Sequence, residues 1–282
     1  MKYAIELKEV SKDYGDFKLD NISFAVPEGY ICGFIGQNGA GKTTSIKLIL
    51  DIIKRDGGEI KVFGEEVEGK SLLKEDIGVV YDEMGFHDFL TPKEINTIMK
   101  NVYANWQEET FYSYLKRFSL PAKKACGKFS RGMRMKLQIA VALSHNAKLL
   151  IMDEPTSGLD PIVRNEILQI FQEYILEENH TILLSSHITS DLERIADMVV
   201  FINGGKIVLS GNKDELLETH GIMKCKKTEL ETIESEDVVS VRQSAFGVEV
   251  LVKDRERCRN KYADKVIDEA TLEEIMLFYA AK

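Results

Sequence analysis

The sequence predicts an α/β fold: a mainly parallel sheet, an antiparallel β layer, a helical subdomain and a small α+β domain at the C-terminus. Three observations lead to it. Residues 30–35 (YICGFI) form a short apolar run entering a glycine-rich loop, and the segment beyond carries Ile46, Ile49, Leu50 and Ile53 on one helical face. Three further apolar runs, 149–152, 181–185 and 198–202, recur at the intervals of a parallel sheet with helical crossovers. Ahead of them, residues 82–146 turn to helical periodicity. At 282 residues, 44% apolar and 29% charged, the chain has the composition of a globular protein with one large core or two modest ones.

The elements follow in order. Residues 3–10 and 19–26 read as two strands with alternating or branched apolar positions, joined by the turn-rich SKDYGDF that contains Tyr14. After the loop and its helix, residues 58–67 (GEIKVFGEEV) form a short hairpin that completes the antiparallel layer, and 77–81 (IGVVY) is a second buried strand. Thr91 to Glu94 (TPKE) is a capping box with proline at the first helical position, and Leu90 and Ile95 can close it as a hydrophobic staple. Helical character continues over 111–118 until Pro121 breaks it. Residues 162–176 supply a crossover helix, and 206–209 pairs back on 198–202 across the Asn203-Gly204-Gly205 turn. Beyond Gly211 the character changes: a short helix at 213–219, strands at 238–242 and 248–252 around Ala245-Phe246-Gly247, and an amphipathic helix at 271–281. The expected division is therefore 1–211, with a helical subdomain at about 83–146, and an accessory domain at 212–282.

Several classes are disfavoured. The longest apolar runs, 149–152 and 198–202, fall far short of the roughly 18 residues a membrane helix needs. The start, MKYAIELKEV, lacks a signal-peptide core, so a cytosolic location is expected. Cys32, Cys126, Cys225 and Cys258 are far apart without a C-x-x-C pair, which reads as reduced thiols rather than a zinc or disulfide framework. A net charge of -9 argues against a nucleic-acid surface. One local exception is the basic stretch from Lys123 to Lys136, which contains no acid and could face phosphates.

The chemistry concentrates at strand ends. GQNGAGKTT (Gly36, Gln37, Asn38, Gly39, Ala40, Gly41, Lys42, Thr43, Thr44) satisfies G-x-x-x-x-G-K-[ST] in its required strand-loop-helix setting. Its glycines let the backbone curl so that N–H groups form an anion nest; Lys42 adds a positive charge for the β and γ phosphates, and Thr43 offers a hydroxyl to Mg²⁺. The core is thus that of a P-loop NTPase. LLIMDE ends a buried strand in two carboxylates facing the ligand crevice: Asp153 to hold Mg²⁺, and Glu154 to orient or deprotonate the attacking water. His187 emerges after TILLSS at the same sheet edge, where an imidazole can contact and sense the γ phosphate. FSRGM (129–133) opens another helix with Ser130 as N-cap and Gly132 allowing close approach, which implies a second anion site.

GQNGAGKTT, FSRGM, LLIMDEP, SGLD (157–160) and SSH (185–187) occur in an order that resembles the ATP-binding subunits of ABC transporters, over roughly residues 3–210. The resemblance implies ATP and Mg²⁺ as ligands, an adenine-stacking role for Tyr14, and a head-to-tail dimer in which Ser130 and Gly132 meet the γ phosphate on the opposing chain's P-loop. It also implies that Asp160 contacts the opposing subunit, and that the chain works as a homodimer, or a heterodimer with a related ATPase subunit, on a separate membrane permease at the inner face of the cell membrane. The C-terminal extension resembles those of exporter-type ATPases. Two departures stand out: FSRGM replaces the usual LSGGQ, and Asp82 stands where the family has a glutamine after the IGVVY strand, still able to reach a hydrated Mg²⁺. Phe86 and Phe89 lie near the expected contact with a permease coupling helix. Two other readings compete: a soluble ABC ATPase acting on ribosomes or DNA, which usually fuses two cassettes or inserts a long coiled coil, and a slow regulatory ATP binder, motivated by Asp82.

Overall fold

Alternation along each central strand divides the interior into two cores. In the strand β7 (Leu149–Asp153), Leu149 and Ile151 face one apolar cluster while Leu150 and Met152 face another, the period-two consequence of a pleated backbone. The same split separates Ile31 and Ile35 from Cys32 and Phe34 in β3 (Ile31–Ile35). A strand buried on both faces belongs in the middle of a layered α/β sheet. The computed structural model describes residues 2–68, 75–83, 85–177, 179–244 and 247–281.

The central sheet has six strands. Its order is β10 (Lys206–Asn212), β9 (Met198–Asn203), β3, β8 (Thr181–Ser186), β7 and β6 (Ile77–Val80). All neighbours are parallel except β10, which folds back antiparallel on β9. Helices α4 (Arg131–Leu143), α5 (Pro161–Tyr174) and α6 (Thr189–Ile195) contribute Leu137, Phe171 and Leu192 to the core on one face. On the other face, α1 (Lys42–Ile49) contributes Ile46 and Ile49 beside an antiparallel sheet of four strands. Those strands are β1 (Tyr3–Asp13), β2 (Lys18–Pro27), β4 (Gly57–Val62) and β5 (Glu65–Glu66). β1 runs further than its apolar alternation suggests, because Asp56 accepts from the Asp13 amide at 2.7 Å and pairs with Lys12 at 2.8 Å. The turn tightens accordingly, with the Tyr14 amide donating to the Phe17 carbonyl.

Helices α2 (Pro92–Val102) and α3 (Glu108–Arg117) precede α4. The Thr91–Glu94 capping box forms in both directions, and Leu90 and Ile95 share one apolar cluster. After α7 (Lys213–Thr219) comes a third sheet, antiparallel and four-stranded: β12 (Val238–Ser244), β13 (Gly247–Val252), β11 (Gly221–Cys225) and β14 (Val266–Glu269). The expected turn residues Ala245 and Phe246 lie outside the described residues. β11, β14 and the short helix α8 (Arg255–Lys261) carry too few periodic positions to announce themselves, and they enclose a small core around Met223, Val250 and Tyr262. The last helix, α9 (Leu272–Ala280), instead joins the large core, where Leu272, Ile275 and Phe278 share a cluster with Leu192 and Phe201.

Candidate functional site

Parallel register brings the chemical groups to one edge. Ile35 pairs with Ser186 and Asp153 with Ser185, so the loop after β3, the carboxylates after β7 and the segment after β8 leave the sheet together. Val80 pairs with Met152, which carries Asp82 to the same edge. The loop lies tight against the sheet: a Cβ on Gly36 would come 2.6 Å from the Ile202 carbonyl oxygen, so only glycine fits there.

A cleft of about 500 Å³ is lined by Phe17, Gln37, Asn38, Gly39, Gly41, Lys42, Thr43, Thr44, Asp82, Asp153 and Glu154. A second hollow adjoins it, shares Phe17, Gln37, Asn38 and Gly39, and adds Ala40. Lys42 is 6% exposed, and its ammonium donates to the Gly36 carbonyl at 2.7 Å and the Gln37 carbonyl at 3.3 Å. It also lies 3.0 Å from Glu154 Oε1, as an ion pair without hydrogen-bond alignment, so that buried carboxylate oxygen has charge nearby but no aligned donor. A buried ammonium so close to two carbonyls and a carboxylate has the charge and the donors that a phosphate oxygen can accept from.

The acids are held by hydroxyls. Thr43 Oγ1 donates to Asp153 Oδ2 at 2.6 Å, and Ser185 Oγ donates to Asp153 Oδ1 at 2.5 Å. Ser185 also accepts from the Glu154 amide at 3.2 Å. Glu154 has a φ of 53°, uncommon for a non-glycine residue and of the kind that persists where surroundings over-determine it. That conformation lets Glu154 Oε2 reach His187 Nδ1 at 2.7 Å while Oε1 faces Lys42. Hydroxyl and carboxylate oxygens only 2.6 Å apart at the cleft form the hard-oxygen set that suits Mg²⁺, and Glu154 Oε1, still lacking a donor, suits a water.

Other expected residues fall elsewhere in the chain. Tyr14 is half-exposed, under the Lys12 ammonium at 5.6 Å, and does not line either hollow; Phe17 lines both. Ser130 caps α4 by accepting from the Met133 amide, and Asp160 caps α5 by accepting from the Ile162 and Val163 amides at 3.1 Å. Neither they nor Gly132 line the cleft around Lys42. Half of the basic residues of this stretch pair within the chain: Arg131 with Asp82, Arg134 with Asp88 and Lys136 with Glu166. Phe89 is 72% exposed and stacks on His87, whereas Phe86 is partly buried against the large core. Ser185, inside the SSH motif yet not singled out, is the residue that joins both acids; Phe17 gave no signal apart from sharing its turn with Tyr14.

The doubly wound sheet, the glycine-rich loop at its edge and the acids beside it define a nucleotide-binding P-loop protein. Comparison with known proteins narrows the class. The family model for ABC transporters matches residues 19–157. The bacitracin transport ATP-binding protein BcrA of Bacillus licheniformis is 39% identical over 212 residues, covering 74% of this chain and 69% of that protein. The Nod factor export ATP-binding protein I of Rhizobium sp. (strain N33) is 33% identical, covering 88% of this chain and 84% of that protein. A solved ATP-binding subunit of an ABC transporter matches with a TM-score of 0.69 and 28% identity, over 76% of this chain and 91% of that one. The chain belongs to the ATP-binding subunits of the ABC transporter family, and its activity is ATP hydrolysis.

Proposed function

We propose that this chain is the Mg²⁺-dependent ATPase of an exporter, closing as a head-to-tail dimer on ATP and acting on a separate permease at the inner face of the membrane. The observation that carries it is the pairing at one sheet edge of Thr43 with Asp153 and of Glu154 with both Lys42 and His187. The P-loop amides and Lys42 hold the β and γ phosphates, and Thr43 and Asp153 would hold the metal, with Asp82 lining the same cleft. When bound, Mg²⁺ neutralises charge on the transferring phosphoryl group. Glu154 orients the attacking water and accepts its proton, and His187 hydrogen-bonds the γ phosphate when it turns from Glu154. Phe17, or Tyr14 after movement of its turn, stacks on the adenine.

Ser130 and Gly132 sit at a helix N-terminus outside the chain's own cleft, which supports their completing the site of a second copy, with Asp160 near the junction. ATP then shifts the open–closed equilibrium because only the closed dimer meets the γ phosphate from both sides. The permease reading draws on an apolar groove of about 240 Å³ lined by residues including Leu50, Ile52, Val79, Tyr81 and Tyr103, with Ile98 and Val102 exposed on α2. Among the described residues no helix is long and apolar enough to cross a membrane, consistent with attachment through a partner. The relative named for Nod factor export supports the outward direction, and those named for bacitracin and lantibiotic transport support a transport role. Residues 212–282 are assigned to an accessory unit. Replacing Glu154→Gln is expected to cut ATP hydrolysis by about 10²-fold or more and to trap an ATP-bound dimer in sedimentation velocity. Hydrolysis at the parent rate would overturn the role of Glu154.

A further inference from the structure

The two departures from the family pattern, Asp82 and Arg131, touch each other. Arg131 Nη2 donates to Asp82 Oδ1 at 2.6 Å, joining the segment after β6 to the first residue of α4 across 49 positions of sequence. The two side chains are 50% and 49% exposed, so the pair is open to exchange with other ligands. Arg131 is also fitted to a third segment. Gly158, in the SGLD stretch, has a φ of +66°, and a Cβ there would come 3.0 Å from Arg131 Nη1, so the guanidinium packs against that backbone. One cation therefore connects residue 82, the α4 N-terminus and the 157–160 loop.

We propose that the Asp82–Arg131 pair is a resting-state latch, and that Arg131 leaves it to bind the γ phosphate of ATP held by a second copy of the chain. The proposal rests on the dimer reading above. Arg131 stands between Ser130 and Gly132, so whatever anion meets that helix N-terminus meets the guanidinium, whose planar fork of donors binds phosphate oxygens as readily as carboxylates. The N–H that Asp82 accepts from is not open to a phosphate oxygen at the same time. Asp82 lines the cleft with Asp153 and Glu154, so the carboxylate that holds Arg131 belongs to the chain's own nucleotide cleft. ATP-driven closure exchanges that carboxylate for phosphate, so the latch raises the ATP concentration needed to close the dimer.

The test is dimerisation against MgATP concentration, read by sedimentation velocity in the Glu154→Gln background. Asp82→Asn, which keeps shape and removes charge, is expected to lower the half-saturating ATP concentration about two- to fivefold, the scale of an exposed ion pair. Arg131→Ala is expected to raise it about tenfold or more, the scale of a charged hydrogen bond lost from the closed state. With Arg131→Ala already present, Asp82→Asn is expected to change nothing further. An equal effect of Asp82→Asn with and without Arg131 would mean that its charge acts directly on the phosphates, and the latch would be wrong. An unchanged or raised ATP requirement for Asp82→Asn alone would also overturn it. Failure of the Glu154→Gln parent to dimerise at any ATP concentration would overturn the dimer reading and the latch with it, whereas independent effects in a parent that dimerises overturn the latch alone.

Discussion

Asp191 is 2% exposed and takes two donors: Thr156 Oγ1 on Oδ2 at 2.7 Å and Arg164 Nε on Oδ1 at 2.6 Å. Thr156 lies two residues beyond Glu154 and Arg164 one turn into α5, so a single carboxylate on α6 fixes the strand end that carries Glu154 to the helix that Asp160 caps. Removing one partner of a buried pair costs more than the pair contributes, because the other is left desolvated and unmatched. Arg164 is 28% exposed and recovers some water, so Asp191→Ala is expected to lower the unfolding free energy by about 3 kcal/mol, at the low end for such losses. Urea denaturation measures this. A change below about 1 kcal/mol would assign the pair to the surface class. None of this was visible in the sequence, where Thr156, Arg164 and Asp191 belong to no motif. Gly36 to Thr44, Asp153 and Glu154 were legible because their spacing is dictated locally by one strand, one loop and one helix. Phe17 and the Asp82–Arg131 contact were not, since one depends on how tightly a turn closes and the other on tertiary placement across 49 positions.

Elements were legible where periodicity or a cap repeated enough times to be counted. The parallel strands announced themselves through uninterrupted apolar runs, and the Thr91 box through its T-x-x-E spacing. β11 and β14 have only five and four residues and depend on each other and on β13 for pairing, which a linear pattern does not record. α9 combines both cases. Its start is a capping box at Thr271 and Glu274, read only as amphipathic periodicity, while its destination is decided by packing. Phe278 is 1% exposed in the large core, the Leu272 amide donates to Glu193 Oε1 at 2.6 Å, and Asn203 donates to the Ala280 carbonyl at 3.3 Å. Phe278→Ala removes a buried aromatic ring and leaves a cavity, a loss of about 3–5 kcal/mol. The single tryptophan, Trp106, packs against the same cluster from the helical region. Its fluorescence is therefore expected to report an earlier urea midpoint in Phe278→Ala. A Trp106 transition left unmoved, while circular dichroism records partial unfolding, would make the C-terminal unit thermodynamically separate.

At the scale of the whole molecule, two buried histidines link stability to pH. His145 Nδ1 donates to the Glu75 carbonyl at 3.0 Å, and the ring stacks on Tyr103 at 4.0 Å. His220 meets the Leu216 carbonyl at 3.1 Å and leans toward the Tyr279 hydroxyl at 3.4 Å. Burial pushes both rings below the ordinary value of 6.5, because desolvation disfavours the imidazolium. Between that value and the lower folded one, the unfolded chain binds more protons than the native chain, so unfolding free energy falls as pH drops from about 6.5 and levels off below the folded values. Each ring contributes at most about 1.4 kcal/mol per pH unit. The net charge of -9 acts the other way, since acidification toward the isoelectric point of 5.3 relieves self-repulsion. Carboxylates held below their usual range, such as Asp237 beside Lys261, lose their contribution only at lower pH. A decline between pH 6.5 and 5.5 therefore isolates the histidines. Urea midpoints across that interval are expected to fall in the parent chain and to flatten when His145→Gln and His220→Gln are combined; a profile that keeps its slope in the double variant would assign the decline to other groups.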